Sequence, residues 1–118
     1  MRYMLLIYSE ESVWSEDERQ RCFAESANLA MRLHGDGKCI ASAPLHPVTV
    51  ATSVQVRDGK KHVTDGPFAE TREQLGGYYL IEARDLDEAI EIAAQIPAVT
   101  KGTVEIRPVL EIDGLPGQ

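Results

Sequence analysis

The chain has 118 residues, of which 43% are hydrophobic and 26% charged, and its formal net charge at pH 7 is −7. These values are typical of one globular domain that is large enough to bury a hydrophobic core. The negative charge argues against nucleic acid and anionic membranes as partners, because both would repel the chain.

The two cysteines, Cys22 and Cys39, are too few for a disulfide scaffold and form no CxxC pair. We expect both to be reduced thiols in or near the core of a cytoplasmic protein. The N-terminus has one basic residue and a six-residue apolar run. This pattern is too short for a signal peptide or a membrane span.

The first predicted strand, Tyr3–Tyr8, is apolar at six successive positions. Because side chains alternate between the two faces of a strand, both of its faces are apolar. One face carries Tyr3, Leu5 and Ile7, and the other carries Met4, Leu6 and Tyr8. A strand of this kind must be covered on both sides in the folded protein.

A helix is predicted to follow, from about Glu16 to His34. Ser15 and Glu18 have the spacing of a capping box at its start, and Gly35 is suited to end it in a left-handed conformation. Its apolar face is formed by Cys22, Ala27 or Ser26, Leu29, Ala30 and Leu33, with Phe23 at the edge.

A short strand, Lys38–Ser42, is predicted next, and the prolines of the Ala43–Pro47 segment end it. Residues Val48–Arg57 alternate as in another strand. Asp58-Gly59 is a strong hairpin signal, and Lys60–Thr64 is the return strand. We therefore expect a β-hairpin in the middle of the chain.

The remaining predicted elements are a strand at Gly77–Arg84, a helix capped by Asp85 and ended by Pro97, and a strand at Thr103–Val109. The helix has an amphipathic stripe formed by Leu86, Ala89, Ile92, Ala93 and Ile96. We assign residues 1–112 to a single domain and residues 113–118 to a short, frayed C-terminal tail.

Without the hairpin, the order of elements is that of the split β-α-β of ferredoxin-like folds. We expect an α+β protein with an antiparallel sheet, an inserted β-hairpin and both helices on one face. The other face would be bare, although Met4, Leu6, Tyr78 and Leu80 lie there. A homodimer packed sheet against sheet would cover it. The alternative is that the hairpin or the C-terminal tail folds over this face.

The densest cluster of polar groups beside special backbone lies between Asp65 and Glu82. Its first loop should have one defined shape, because Pro67 fixes its own φ and Gly66 can take a positive φ. Thr71 and Gln74 have the spacing of a capping box, which can start a single helical turn. One interpretation is an ordered connection whose glycines and proline serve geometry alone.

The functional interpretation of this loop is the wall of a ligand pocket, with carboxylates and an arginine fork. The predicted ligand-binding residues are Asp65, Gly66, Pro67, Phe68, Glu70, Arg72 and Tyr78, and Glu73 offers a further carboxylate. The tyrosines Tyr3, Tyr8, Tyr78 and Tyr79 are candidates to line a cavity or to pack in the core.

His46 lies in a loop between strands, and an imidazole titrates near neutral pH. With Asp65 or Glu70 it would form a catalytic acid–base dyad, in which His46 and Asp65 are the first candidates. The alternative is a surface histidine with no role. No His or Cys pair has the spacing of metal ligands and no phosphate-binding glycine motif is present, so neither a metal site nor a cofactor is predicted.

A resemblance to a known family is carried by five segments, Tyr3–Tyr8, Val56–Lys60, Val63–Thr71, Glu73–Ile81 and Val104–Val109. Through them the chain resembles the DGPF-domain family, a branch of the YCII-like proteins. The resemblance implies a ferredoxin-like dimeric α+β barrel. Many relatives are named only by this domain, and some sit beside extracytoplasmic-function sigma factors, which implies a link to transcription control.

The wider YCII group has a His in the first helix and an Asp near the end of the second, a pair that implies catalysis. This chain has Ser26, Ala27 and Asn28 midway along the first helix. Its second helix ends in Ile96-Pro97-Ala98. The pair is therefore not carried over to this chain.

Three interpretations compete on this basis, and the third, after the two described next, is a purely structural dimer with no pocket near the loop. The first is a cytoplasmic homodimer that binds a small organic ligand or acts as a regulatory module, with no direct contact to nucleic acid or membrane. The second is a small acid–base enzyme that uses His46 with Asp65 or Glu70. A hydrogen bond between His46 and one of these carboxylates in a closed cavity would favour the enzyme, and a solvent-exposed His46 would favour the binding protein.

Overall fold

The computed structural model describes residues 1–117. The strands and helices are β1 (Arg2–Ser9), α1 (Glu16–Gly35), β2 (Cys39–Pro44), β3 (Thr52–Arg57), β4 (Lys60–Asp65), β5 (Gln74–Glu82), α2 (Leu86–Ala93) and β6 (Thr103–Pro108). Short 3-10 helices lie at Glu11–Val13, Val48–Val50 and Pro97–Thr100. The predicted tail includes Gln118, which lies outside the described residues.

Two antiparallel sheets and two helices make this an α+β protein. Four strands form one sheet in the order β2-β5-β1-β6, and β3 pairs with β4 in a separate hairpin. All pairs of neighbouring strands are antiparallel, with Leu5 opposite both Tyr79 and Ile106 near the centre of the large sheet.

Both helices pack on one face of the large sheet. The buried core combines Tyr3, Leu5, Tyr79 and Ile81 of the sheet with Leu29 and Leu33 of α1 and Ala89, Ile92 and Ala93 of α2. On the opposite face, which we call the bare face, Met4, Leu6, Tyr8, Tyr78 and Leu80 are only half-buried. The side chains of β1 and β5 therefore alternate between a buried face and a partly open one, as predicted, because the helices cover only one of the two apolar faces.

The hairpin formed by β3 and β4, which we call the hairpin arm, extends along the surface. Asp58 and Gly59 have positive φ values of 53° and 75° at its turn, as expected for an Asp-Gly hairpin. Val54, Val56 and Val63 on the arm are 57–61% exposed. The chain accordingly has a radius of gyration of 15.9 Å, against about 13.5 Å for a compact domain of this length.

Within residues 1–117, the large apolar side chains of the hairpin arm and of the tail stay mostly exposed. The tail reaches this face at Arg2, whose Nη1 donates to the carbonyl of Gly117. Leu110 and Leu115 nevertheless stay 77% and 45% exposed. The bare face is therefore left partly open in a single copy of the chain.

The start of α1 is stabilised as predicted. The amide of Glu18 donates to Ser15 Oγ at 3.2 Å, and the amide of Ser15 donates to Glu18 Oε1 at 3.0 Å. Lys101 also binds the Glu18 carboxylate. Chiefly through the bond from Lys101, then those from Ser15, the pKa of Glu18 falls from 4.5 to about 2. Its contribution to stability is thus present above pH 4.5 and is lost as the pH falls towards 2.

The predicted left-handed cap at Gly35 was wrong by two residues. Gly35 is the last helical residue, and Gly37 takes the positive φ of 74°. The amide of Gly37 donates to the carbonyl of His34, and that of Lys38 to the carbonyl of Leu33. These bonds satisfy the last carbonyls of a helix that ends at Gly35, one residue later than predicted.

Two other local predictions were wrong. Residues Val48–Val50 form a 3-10 turn instead of the start of β3, because Pro47 begins a turn whose carbonyl accepts from the amide of Val50 at 3.1 Å. No helical turn starts at Thr71, because the side chain of Gln74 donates to the carbonyl of Thr71 at 2.7 Å while the Gln74 backbone pairs with Ser9 as the first residue of β5.

The close approach of β2 to β5 yields a prediction about stability. A Cβ added at Gly77 would lie 2.9 Å from the carbonyl oxygen of Ala43 and 3.3 Å from Pro44 Cα. We expect Gly77→Ala to lower the free energy of unfolding by about 1–3 kcal/mol, measured by urea denaturation. Gly76→Ala is the matched control, because its Cβ would have Ile7 O no nearer than 3.9 Å. Equal losses in the two variants would contradict this interpretation.

Candidate functional site

The loop that was predicted to form a pocket wall lies largely in solvent. Asp65, Phe68 and Glu70 are exposed, Phe68 to 79%. Gly66 has the expected positive φ of 110°. The expected backbone conformation at Gly66 is thus present, but Asp65, Phe68 and Glu70 do not line a pocket wall.

An open concavity of about 1200 Å³, which we call the loop concavity, does collect some of the predicted residues. His46, Pro67 and Arg72 line it, together with Tyr8 and Glu105 from the bare face of the sheet. The other predicted residues, Asp65, Gly66, Phe68, Glu70 and Tyr78, lie outside its lining. Tyr78 is instead on the bare face, where its strand neighbours are Leu6 and Ala43.

His46 is exposed at the loop concavity. Within residues 1–117 it makes no hydrogen bond or ion pair, so neither Asp65 nor Glu70 contacts it. Arg72 is also exposed, and its Nε lies 3.8 Å from Glu10 Oε2. By the criterion set from the sequence, a solvent-exposed His46 is the arrangement expected of a binding protein.

A second and more sheltered cavity of about 360 Å³, which we call the helix cavity, lies between α1 and the edge formed by β2 and β5. Sequence reasoning missed it. Its helical wall has the small side chains Ser26, Ala27 and Ala30, and its sheet wall has Gly76 and Gly77. Small residues on both walls leave a space where larger side chains would have filled the layer.

The apolar rim of the helix cavity includes Trp14, Phe23, Pro44 and Leu45. Trp14 is held in place, because its Nε1 donates to Ser9 Oγ at 3.1 Å and Lys101 Nζ lies 5.1 Å from the ring centroid. A rigid aromatic wall beside a mostly apolar space is typical of sites that bind small molecules.

Tyr79 brings a hydroxyl into the helix cavity. It donates to the carbonyl of Ser26 at 2.6 Å and lies 2.7 Å from Ser26 Oγ. Burial raises the pKa of Tyr79 above its ordinary value of 10.0, and the bond with Ser26 opposes this only in part. The hydroxyl is therefore neutral at physiological pH and acts as a hydrogen-bonding group.

Cys22 also lines the helix cavity and is half-buried. Burial, and secondarily the charge of Glu25, raise the pKa of its thiol above 9.0. A protonated thiol is a poor nucleophile, so Cys22 does not have the properties of a catalytic cysteine.

Charge in the helix cavity comes from Arg19 and Glu11 among its lining residues. Arg19 Nη2 donates to the backbone carbonyl of Glu11 at 3.2 Å. Its Nε is buried without a hydrogen-bond partner within residues 1–117. The Glu11 carboxylate does not pair with Arg19. Its Oε2 accepts instead from the amide of Val48 at 3.1 Å.

Two kinds of feature are absent from residues 1–117. No group of three or more His, Cys, Asp or Glu is placed so that it could hold a metal ion. None of the helices has the length and apolarity needed to span a bilayer.

Similarity to known proteins identifies the family of this chain. The family model of the YCII-related domain matches residues 1–113. An uncharacterised protein of Rhizobium meliloti (strain 1021) is 38% identical over 114 residues, which cover 92% of this chain and 92% of that protein. The matching model describes the YCII-related domain, and assignment to the DGPF branch stays a prediction.

The buried Tyr79 hydroxyl predicts a dependence of stability on pH. Because its pKa is raised in the folded chain, the unfolded chain loses this proton first, and stability falls as the pH rises above about 10. We expect Tyr79→Phe to be less stable at pH 7 by about 1–2 kcal/mol, and the difference from the wild type to shrink above pH 10. Urea denaturation between pH 7 and 11 would measure both effects.

Tyr78→Phe is the matched control for this prediction, because the Tyr78 hydroxyl makes no hydrogen bond within the described chain. A deficit of Tyr79→Phe that stays constant up to pH 11 would contradict the assignment.

Proposed function

This chain belongs to the YCII-related family, and we propose that it is a homodimeric module that binds a small organic molecule in the helix cavity. The observation that carries the proposal is the cavity itself, a sheltered space of about 360 Å³ with apolar walls and a few convergent polar groups. Sites for small molecules have this form, and their volumes begin at about 300 Å³.

The helix cavity is a better ligand site than the loop concavity. The loop concavity is more than three times larger, at about 1200 Å³, and is open to solvent. A small molecule in it would keep much of its surface in water, so little apolar area would be buried. We therefore assign the ligand to the helix cavity and leave the loop residues Asp65, Phe68, Glu70 and Arg72 as a proposed second contact region.

The homodimer is the second part of the proposal. The strand order β2-β5-β1-β6 supports a ferredoxin-like topology, in which one sheet face is free to meet a second copy. That face carries the half-buried Met4, Leu6 and Leu80, with Glu105 and Arg107 exposed on the outer strand β6. A second copy packed on it would form a dimeric α+β barrel and would close the loop concavity, whose lining includes Tyr8 and Glu105.

A regulatory role linked to sigma-factor-dependent transcription is the third part and rests on the resemblance to the DGPF-domain family. A cytoplasmic location is supported by the two free cysteines, Cys22 and Cys39. The acid–base enzyme with His46 and Asp65 or Glu70 stays a prediction without a supporting contact.

The dimer is tested by placing a charge at the centre of the bare face. We expect the wild type to sediment as a dimer at micromolar concentration, and Leu6→Glu to sediment as a monomer with an unchanged far-ultraviolet circular dichroism spectrum, because a carboxylate buried in the interface would be unpaired. Ile90→Glu is the control, since Ile90 is exposed on α2. A monomeric wild type, or a folded Leu6→Glu variant that still dimerises, would contradict the proposed interface.

Ligand binding in the helix cavity is tested by narrowing its mouth. Trp14 lines the cavity and is the single tryptophan of the chain, so its fluorescence reports on occupancy. We expect compounds from a small-molecule library that raise the melting temperature to change this fluorescence. Ala27→Phe should weaken them at least about tenfold by occupying their space.

Ala24→Phe is the matched control for this test. Ala24 is exposed on the same helix but lies outside the cavity lining. Compounds that bind both variants and the wild type equally well would locate the ligand elsewhere.

A further inference from the structure

Arg19 is a half-buried cation without an ionic partner among the described residues. Within residues 1–117 it forms no ion pair, its Nη2 donates to a neutral carbonyl, and its Nε has no partner at all. By contrast, Arg84 is held by Glu88, with Nη1 2.6 Å from Oε2. The guanidinium group of Arg19 therefore lacks the counter-ion that a purely structural arginine would have.

A half-buried cation without a counter-ion is unfavourable unless another molecule supplies one. Buried donors are nearly always hydrogen-bonded, and an unpaired one costs stability. Nε is buried and closed to a ligand, and Nη2 already donates to the Glu11 carbonyl, so a carboxylate in the cavity would meet the guanidinium group at its Nη1 and Nη2 end. Because Arg19 lines the helix cavity, a molecule there can bring acceptor oxygens to its guanidinium group.

The neighbouring carboxylates leave this position free. Glu11 is the other charged residue of the lining and is bound to the amide of Val48. Glu18, next to Arg19 in the sequence, pairs with Lys101. Glu11 keeps its negative charge, but Arg19 is the one cation among the lining residues of the helix cavity and is not ion-paired to either carboxylate within residues 1–117.

The remaining walls define the rest of the ligand. Trp14 and Phe23 present aromatic surface, and Pro44 and Leu45 present aliphatic surface. The cavity volume of about 360 Å³ is at the small end of the range for ligand sites, which limits the apolar body to a single ring or a short branched chain.

We infer that the ligand of the helix cavity is a small organic carboxylate, with its carboxylate bound to Arg19 and its apolar body against Trp14 and Phe23. This inference rests on the proposed function and adds the chemical class of the ligand. Arg19 acts as a specificity-determining residue that separates an acid from a neutral molecule of the same shape.

The test uses pairs of compounds that differ in charge alone. Monocyclic and short branched carboxylates, such as phenylacetate and 3-methylbutanoate, are titrated beside their primary amides, with Trp14 fluorescence and calorimetry as readouts. We expect each acid to bind the wild type at least about tenfold more tightly than its amide. Acetate, which has the head group without the apolar body, should bind more weakly than either larger acid.

Variants of two arginines on the same helix test whether Arg19 causes the preference for acids over amides. Arg19→Gln should reduce the affinity for the acids about 10- to 100-fold, to the level of the amides, and Arg19→Lys should lie between this variant and the wild type. Arg21→Gln is the matched control, because Arg21 is exposed and lies outside the lining of the helix cavity. It removes the same charge two residues away and should keep the full preference for acids. Thermal melts of each variant verify the fold.

The thiol of Cys22 locates the ligand independently. Cys22 lines the cavity and Cys39 is buried, so a bound acid should slow the reaction of Cys22 with a neutral thiol reagent. Acids that bind no better than their amides, or a preference that survives Arg19→Gln, would overturn the carboxylate inference and leave the proposed binding function standing. If no compound of any charge binds or protects Cys22, both the inference and the proposed function fail.

Discussion

The pairing of β1 with β5 is the interaction on which the rest of the structure depends. Leu5 and Tyr79 face each other at the centre of this pair, and both are almost fully buried beneath the helices. The same pairing places Met4 beside Leu80 and Leu6 beside Tyr78 on the bare face. One ladder of backbone hydrogen bonds thus fixes both the core and the apolar surface that a second copy is proposed to cover.

The helix cavity follows from a departure from close packing along this ladder. Near Leu29 and Leu33, α1 contacts the sheet through large side chains and the layer is filled. One to two turns earlier, the helix presents Ser26, and β5 presents Gly77, where β2 approaches closely. A layer of constant spacing with smaller side chains leaves a void. The hydrogen bonds between Tyr79 and Ser26 hold its floor in one shape.

Much of the fold could be predicted because each element carries its own signal. The alternation in Tyr3–Tyr8, the capping box at Ser15 and the Asp58-Gly59 turn all act over a few residues, and all are present in the structure. The errors arose where a distant contact decides the local conformation. The turn at Val48 is bound by Glu11 from 37 positions earlier, and Gln74 is drawn into β5 by its pairing with Ser9.

The candidate site was harder to predict for the same reason. Polar residues that are close in sequence, such as Asp65 and Glu70, drew attention to a loop that lies in solvent. The helix cavity is made by residues with little individual signal, Ser26, Ala30 and Gly77, which meet only after the helix crosses the sheet. A small-residue stretch on an otherwise apolar helix face, opposite a double glycine, was the one signal in the sequence that could have indicated it.

The two cavities share a wall, and this gives the proposed regulatory function a physical route. Leu45 and Pro47 line both the helix cavity and the loop concavity, so the segment after β2 separates a proposed ligand from the edge of the proposed dimer interface. Glu11 anchors this segment through the amide of Val48 and also lines the helix cavity. A ligand that binds Arg19 therefore lies against a segment with contacts on both sides, and a shift of that segment would change the surface offered to a partner. Coupling of this kind needs a segment with two arrangements that the ligand and the partner bind differently, and the segment from Leu45 to Val48 is the one that borders both spaces.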